Sequence, residues 1–382
     1  MSRFFVSCPL DYENELVAEM KSFWFEMIDL DGLPTRAEFP EIEILRGGIQ
    51  LTVADHLGFQ INFFSKIANR VLLRIFNFEA RYYDQFEKGF AKVEFEKYLP
   101  GETLKLKVES HKSRLNNDKN IIEAAGHVLT KKKIKLMDDS PNTVFIRLDK
   151  DRVMISLDTS GEHLHRRGYA MFRGEAPMRE TLAAYIVRKL NQQINIDKNL
   201  TIIDPFAGSG TLLFEAVSFR QPNLNRHFPW LDFKTAPKLF KSETWKRNYR
   251  WFEQQSGPQC LGFDNDDKAL NSLAQNRIGF EKIFNQSVAD ITAKLQDSRD
   301  LRLNHSELRK AVWVITNPPY GIRLADENAM EVFENIESVI DGLVVVHPVA
   351  WRFDFKKLKH VLTEDFSNQG LNLKLSVFKK KI

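Results

Sequence analysis

Hydrophobic and polar positions follow two different periods along this chain, and the period shifts from one stretch to the next. In residues 1–60, Leu16, Val17, Met20, Phe23 and Trp24 recur at helical spacing and predict a helix over 13–28. Residues 42–53 (IEILRGGIQLTV) predict two short strands about a Gly-Gly turn. In residues 61–158, Ile67, Val71, Leu72 and Ile75 fall on one helical face and predict a helix there. LKLKVES (104–110) alternates, which predicts a strand with one wet side. Residues 120–136 predict a helix whose basic carboxyl-terminal end suits its dipole. VFIRLDKDRVMISLDTSG predicts a hairpin that turns at Asp149–Asp151. The first two stretches are therefore α+β.

The pattern changes from about residue 175. LTIIDPFAGSGTLLFEAVSF predicts strand, Gly-rich turn and helix. CLGFDND is a strand ending in acids, AVWVITNPPYG a strand ending in Asn-Pro-Pro, and GLVVVHPVAW a further apolar strand. LNLKLSVFKK closes the chain as an expected edge strand. Apolar strands that end in polar turns, with helices between them, predict a doubly wound α/β sheet. The Gly- and Arg-rich segment 160–177 is the expected linker.

Length adds that 382 residues exceed one ordinary domain. No run of apolar residues is long enough to span a membrane, and no secretory signal is visible at the start. The two cysteines, Cys8 and Cys260, make neither a disulfide framework nor a zinc site, so a metal is not expected and a reducing cytoplasm is. Net charge is only +4, but residues 105–136 hold nine Lys/Arg against Glu109, Asp118 and Glu123, a local 9 − 3 = +6. A basic face on a near-neutral body suits a polyanion, although a solvated helix face accounts for such a run equally well.

Four motifs carry the chemistry. Asp204-Pro-Phe-Ala-Gly-Ser-Gly-Thr211 sits between a strand and a helix, and Gly208 and Gly210 let the backbone turn sharply beside a ligand. It is not a phosphate loop, because no Lys follows the second Gly. It is a poor dinucleotide fingerprint, because Leu213 stands where the third Gly belongs. Asp264, at the end of the next strand and followed by Asn265 and Asp266, is placed to accept ribose hydroxyls, while Asp266 suits a helix cap. Asp290, in Ser287-Val-Ala-Asp290, is expected at the end of a third strand, where it would accept from an adenine amine. Asn317-Pro318-Pro319-Tyr320-Gly321 is the most informative. Two prolines stiffen the loop and leave their carbonyls free. The Asn317 amide oxygen and the Pro318 carbonyl can accept from one –NH₂ group, and Tyr320 offers a face for stacking on a base. Holding an amine in line with a methyl donor is positioning catalysis, which needs no metal and no strong base.

These motifs resemble those of the class I amino-methyltransferases acting on nucleic-acid bases. The chain as a whole resembles the THUMP-containing RNA guanine-N2 methyltransferases, and among them the members acting on bacterial 23S rRNA. Gly47-Gly48-Ile49, Ser65–Ile75, Ser160–Tyr169 and Ala176–Ala184 carry the likeness outside the motifs. The resemblance implies a ferredoxin-like module over 1–64 and a THUMP RNA-binding domain over 65–160. After a linker over 161–177, it implies a class I Rossmann-like methyltransferase domain with a mixed seven-stranded sheet over 178–382. It implies S-adenosylmethionine as cofactor, held by Thr181, Asp204, Phe206, Ala207, Gly208, Ser209, Gly210, Asp264, Asn265 and Asp290. It implies Asn317, Pro318, Pro319 and Tyr320 as the base loop, and structured RNA on Lys112, Arg114, Lys131, Lys132, Lys133, Arg166 and Arg167. The implied activity is methylation of the N2 amine of a guanine in 23S rRNA. A tRNA guanine-N2 enzyme, an N6-adenine DNA methyltransferase and a non-enzymatic RNA-binding protein are the alternatives.

The chain departs from a compact methyltransferase in two ways. Asp264 follows Gly210 by 264 − 210 = 54 residues, and residues 219–252 carry nine aromatics. An insertion over 219–258 is expected, its aromatics forming a small core of their own or a base-stacking lid. The chain also ends at what reads as the last strand, which implies a stand-alone enzyme rather than a fused pair.

Overall fold

The structure is a computed structural model that describes residues 1–31, 38–170, 172, 178–241, 257–284, 291–319, 326–368 and 370–381. The chain divides into two compact units: Met1–Leu164 with Arg226–Tyr249, and His165–Asn225 with Arg250–Ile382.

The first unit is built on one eight-stranded sheet. Its strands are β1 (Ser2–Ser7), β2 (Ile42–Leu45), β3 (Gly48–Val53), β4 (Arg70–Glu79), β5 (Thr103–His111), β6 (Lys135–Leu136), β7 (Thr143–Asp149) and β8 (Arg152–Asp158), in the order β2-β3-β1-β4-β8-β7-β5-β6. Helices α1 (Glu13–Asp31), α2 (Asp55–Phe64), α3 (Tyr83–Phe90) and α4 (Asp118–Lys131) lie along it. The hairpin β7–β8 turns through Lys150 (φ 51°) and Asp151 (φ 64°), the two positive values that a tight hairpin matching strand twist requires.

The helix expected over Ser65–Ile75 is not formed. Residues 70–79 are strand β4, paired antiparallel with β1 on one side and β8 on the other. Val71 and Leu73 are buried on one face, and Leu72 and Arg74 lie on the other. A central strand flanked by partners on both edges gathers apolar residues at nearly every position, and such a run also fits a helical wheel. Because β4 joins the first strands to the last, the sheet is continuous across residue 64.

The aromatic insertion belongs to this first unit. Phe228 and Trp230 are fully buried. Trp230 stacks flat on Phe59 of α2 at 4.8 Å, and Phe228 meets Phe63 edge-on at 5.3 Å. Phe233 also reaches Phe59 (6.3 Å), and Phe240 packs on Trp230 (5.2 Å). Neither a lid nor a self-contained core describes residues 228–240: their rings complete the core above α2, whose residues 57–64 are all buried. Trp245, Tyr249, Trp251 and Phe252 lie outside the described residues.

The second unit holds a seven-stranded mixed sheet, as expected. Its elements are α5 (Glu180–Asn191), β9 (Leu200–Asp204), α6 (Thr211–Val217), β10 (Gln259–Asp264), α7 (Asp267–Phe284), β11 (Ile291–Leu295), β12 (Ala311–Thr316), α8 (Asp326–Ile336), β13 (Gly342–Pro348), β14 (Leu358–Asn368) and β15 (Leu371–Lys380). The strand order is β11-β10-β9-β12-β13-β15-β14, with β15 antiparallel to both neighbours and the first five strands parallel. The closing strand β15 is therefore interior rather than an edge, in keeping with four consecutive buried residues at Leu375–Phe378. The edge is β14, whose polar sequence LKHVLTEDFSN alternates too weakly to announce a strand. Among the described residues, no helix is long and apolar enough to cross a membrane, and no group of His, Cys, Asp and Glu is arranged to hold a metal.

Candidate active site

Parallel strands of a doubly wound sheet leave a crevice beyond their carboxyl ends, where the strand order reverses. Here it reverses between β9 and β12, so the Gly-rich loop and Asn317 flank the same crevice.

The loop is held from below. Asp204 ends β9 with 1% exposure and accepts from the Thr316 hydroxyl (2.7 Å) and the Phe206 N–H (3.1 Å). Burial, reinforced by the Asp264 charge, pushes its carboxyl up to about 7 against those two hydrogen bonds. The Thr316 bond ties the strand before Asn317 directly to the start of the Gly-rich loop. Gly208 (φ +53°) and Gly210 (φ +84°) both adopt left-handed backbone. Their surroundings differ. A Cβ on Gly210 would lie 2.8 Å from Leu273 Cγ and 2.9 Å from Phe214 Cε2, so that glycine serves packing of α6. A Cβ on Gly208 would meet nothing within 4 Å, so that position opens onto free space where a ligand can approach the backbone. Ala207 is buried, while Phe206 and Ser209 are half-buried.

Asp264 ends β10, half-buried, and joins this loop to the next. One carboxylate oxygen accepts from Gly208 N–H (2.8 Å) and the other from Asp266 N–H (3.0 Å). Each oxygen keeps a lone pair for a hydroxyl, which is what a ribose ligand requires. Asn265 and Asp266 are exposed beside it. Asp266 accepts from the Lys268 N–H (2.9 Å) at the start of α7, the capping role the sequence suggested.

Asp290 lies outside the described residues. Strand β11 begins at Ile291 and ends at Leu295, so the acid that follows its carboxyl end is Asp297, preceded by Gln296. Gln296 N–H donates to the Asp264 carbonyl (2.9 Å), and Ser298 donates to the Pro205 carbonyl, which brings this strand end against the Gly-rich loop. Asp297 is held well below the ordinary carboxylate range, at about 2, by hydrogen bonds from Arg299. It stays ionised and acceptor-only.

Asn317, Pro318 and Pro319 leave β12 with Pro318 buried, and Tyr320 lies outside the described residues. The Asn317 Oδ1 is buried and accepts no hydrogen bond. Leaving such an acceptor unpaired costs about 1–3 kcal/mol, which a donor from a bound group would recover. The Thr181 hydroxyl, in the first turn of α5, is likewise buried without a partner.

Residues outside the sequence motifs complete the site. Asn276 of α7 is 1% exposed and donates to the carbonyls of Phe172 (2.8 Å) and Ser209 (3.3 Å), while accepting from the Phe172 N–H (3.0 Å). An exposed phenylalanine is thereby anchored to the Gly-rich loop. Its signal in the sequence was slight: Asn276 is one polar residue on an amphipathic helix.

Of the residues expected on RNA, Lys112, Arg114, Lys131, Lys133 and Arg166 are exposed and Lys132 is half-buried. Arg114 lies over the Tyr82 ring at 4.4 Å, and the Lys132 ammonium donates to the Val93 carbonyl (3.0 Å). Arg167 does not fit that role. It is 3% exposed and its guanidinium donates to both oxygens of Glu215, at 3.2 and 3.3 Å, and Glu215 is itself fully buried. Tyr169, also buried, donates its hydroxyl to Glu215 (2.9 Å). The Arg-rich segment reads as a phosphate-binding linker, yet two of its side chains are core members of the second unit.

The comparisons with known proteins agree with this geometry. Residues 167–336 match the family model of the RMKL-like methyltransferase domain. The chain is similar to "Ribosomal RNA large subunit methyltransferase K/L" of Marinomonas sp. (strain MWYL1), 26% identical over 91% of this chain and 47% of that protein. The protein of the same name from Methylococcus capsulatus is 26% identical over 86% of this chain and 43% of its own length. The chain thus spans about half the length of the curated relatives it matches. Among solved structures, the fold is similar to that of a predicted N6-adenine-specific DNA methylase from Listeria monocytogenes (TM-score 0.75, 19% identity, covering 100% of this chain and 96% of that one). It is similar to the complex of SMU.472 with SAH (0.71, 19%, covering 100% and 98%) and to TrmN from Thermus thermophilus (0.66, 13%, covering 100% of both). Strand order and loop geometry agree with the match of residues 167–336 to the RMKL-like methyltransferase domain, and the fold is that of the class I methyltransferases.

Proposed function

We propose that this chain transfers a methyl group from S-adenosylmethionine to the exocyclic N2 amine of a guanine in 23S rRNA. The observation that carries the reading is the buried, unpaired Asn317 Oδ1 at the carboxyl end of β12. An acceptor placed there is completed by an –NH₂ group, and guanine carries one at N2.

S-adenosylmethionine, when bound, supplies a methyl group already activated on a sulfonium. The open space over Gly208, the free Thr181 hydroxyl and the paired but unsaturated Asp264 carboxylate are the features that fit it. Gly208, Ser209 and the neighbouring backbone would lie along the cofactor, with Asp264 receiving its ribose hydroxyls. Asp297 and Gln296 border the same end of the crevice. The chain's own contribution is orientation. Asn317 Oδ1 and the Pro318 carbonyl would accept the two N–H bonds of the amine and turn the nitrogen lone pair toward the donor, and Tyr320 would stack on the ring. A guanine in a helix must be flipped out to reach this position, at a cost of a few kcal/mol. The proton released after transfer passes to water.

The first unit would supply RNA binding as a ferredoxin-like and THUMP module, with Lys112, Arg114, Lys131 and Lys133 toward phosphate, and Arg166 of the second unit would add a further cation. Relatives named as large-subunit rRNA methyltransferases support 23S rRNA over tRNA or DNA. Cys8 and Cys260 are buried and form no disulfide, which suits a reducing cytoplasm.

The test is transfer from labelled S-adenosylmethionine to unmodified 23S rRNA, tRNA and DNA in parallel, with nucleoside analysis. N2-methylguanine in 23S rRNA is expected. Asn317→Ala should lower turnover by about 100-fold or more with cofactor affinity kept, the usual effect of removing one transition-state hydrogen bond. Near-wild-type turnover in that variant would end the assignment of Asn317.

A further inference from the structure

The cofactor features and the base loop stand at different strands of the crevice. Gly208 follows β9 and Asp264 ends β10, both to one side of Asn317. A base held by Asn317 while that side is filled by cofactor has to lie on the other, over the carboxyl end of β13. Strand register fixes what stands there. Val345 pairs with Thr316, so His347 and Pro348 are level with the base loop. Strand β14 begins at the opposite end of the sheet, since Leu358 and Gly342 both sit beside the last residues of β15. The chain after Pro348 therefore runs back across the sheet, and Trp351 lies near the start of that run.

Trp351 is 5% exposed, and its indole N–H is buried without an acceptor. Its described neighbours supply none. The ring lies nearly parallel to that of His347 (6.1 Å) and edge-on to Phe353 (6.2 Å). Both nitrogens of His347 are engaged: Nδ1 donates to the Pro348 carbonyl (2.8 Å), which leaves Nε2 to accept from the Ser376 hydroxyl (2.8 Å). The Pro348 carbonyl also accepts from the Trp351 backbone N–H (3.1 Å). Further along the same run, Phe353 and Phe355 pack on Phe378 at 4.9 and 5.0 Å with rings that bring no polar atom. A phenylalanine would fill such a wall without the penalty of a dry, unpaired donor. An unpaired indole alone decides little, since Trp230 has one inside the first unit. Trp351 differs in its neighbour, because the unpaired acceptor Asn317 Oδ1 stands at the end of the adjoining strand. One buried donor and one buried acceptor thus border the same end of the sheet, each without a partner.

We propose that the Trp351 indole N–H selects guanine by donating to its O6 while Asn317 holds the N2 amine. The assignment rests on the proposed guanine-N2 activity and adds the residue that tells guanine from adenine. Along its pairing edge guanine presents the N2 amine at one end and the O6 acceptor at the other. Adenine held by its N6 amine presents a carbon-bound hydrogen at that far end, and the indole stays unpaired. A dry site built around a donor discriminates strongly, because the wrong base leaves that donor buried and unsatisfied. The base loop cannot make this distinction by itself, since either purine stacks on Tyr320 and either amine donates to Asn317 and Pro318. Entry of the base has to part the loops that follow β12 and β13, which shield both polar atoms.

The test uses the full chain and Trp351→Phe, which keeps an apolar ring and removes the donor. In methyl transfer to 23S rRNA the variant should lose about 10- to 100-fold in kcat/KM, the cost of leaving O6 buried without a donor, with cofactor affinity unchanged. The decisive comparison replaces the methylated guanine by 2-aminopurine, which keeps the 2-amine and has hydrogen in place of O6. Wild type should lose about the same factor on that RNA, and the variant should lose nothing more. A merely structural role would penalise the variant equally on both RNAs. Binding is read apart from turnover by magnetic resonance of isotope-labelled tryptophan. The chain's six tryptophans give six indole N–H signals, and the one missing from the variant is that of Trp351. Guanosine monophosphate added with S-adenosylhomocysteine should move that signal downfield, and the 2-aminopurine nucleotide should leave it in place. Turnover by Trp351→Phe within about twofold of wild type, equal penalties on the two RNAs, or an unmoved indole signal would overturn the proposal. The two readings fail separately. A guanosine-dependent indole shift with no methylation of any RNA sinks the proposed activity and keeps the guanine site, and N2-methylguanine formed equally well by the variant sinks the role of Trp351 alone.

Discussion

Asp204 offers a direct check on how the Gly-rich loop is built, through Asp204→Asn. The side chain is enclosed, and its carboxyl is pushed from 3.8 up to about 7. The folded protein therefore keeps a proton on Asp204 that the unfolded chain releases near pH 4. Stability from this group is complete below 3.8 and is lost as the pH rises through 7. Between pH 5 and pH 8 the loss is about 2–3 kcal/mol, from the two pKa values and the linkage relation. In a domain of about 200 residues that moves Tm by roughly 5–10 °C. An asparagine keeps the acceptor for Thr316 Oγ1 and Phe206 N–H but cannot ionise. The assay is thermal unfolding of wild type and variant, without cofactor, at both pH values. Wild type should lose Tm relative to the variant as the pH rises, because every other titrating group is common to both. Parallel pH profiles would refute the reasoning, and would mean that Asp204 is solvated or ionised throughout.

Three further outcomes follow from the same packing. Gly210→Ala should cost about 1–3 kcal/mol by overpacking against Leu273 and Phe214 on top of about 1–2 kcal/mol of left-handed backbone strain, whereas Gly208→Ala should cost only that backbone strain and should weaken cofactor binding; calorimetric titration and thermal melts separate the pair. Arg167→Ala strands the fully buried Glu215 carboxylate and should cost about 3–5 kcal/mol in denaturant unfolding, while a surface role on RNA would leave stability unchanged. Trp230→Ala should remove about 3–5 kcal/mol from the first unit by losing the stack on Phe59, and unaltered unfolding of that unit would contradict its placement there.

The sequence shows most of what depends on local geometry and loses what depends on distant partners. The Gly-rich turn, the acid ending β10 and the Asn-Pro-Pro loop are legible because each is a short run whose residues dictate its own backbone. The same holds for the β7–β8 turn, where Lys150 and Asp151 take the left-handed conformation between two alternating strands. Strand β4 is the opposite case. Its apolar run is compatible with a helix, and only β1 and β8, the latter 158 − 72 = 86 positions away at the Leu72–Asp158 pair, make it a strand. Asp297 was hidden for a related reason. The strand before it, ITAKL, is too weakly patterned to mark in the sequence that it ends at Leu295. Arg167 fails differently: a charge in a Gly- and Arg-rich segment reads as solvated until Glu215, 48 positions away, is seen to face it inside the core. The aromatic insertion completes the argument. Its rings do pack as a core, but the second half of that core is α2, which the chain laid down more than 150 residues earlier, at Phe59 and Phe63 against Phe228 and Trp230. Hydrophobic composition predicts that such rings will be buried. Which surface buries them is set by the fold, and here that surface makes an insertion within the methyltransferase sequence a structural part of the first unit.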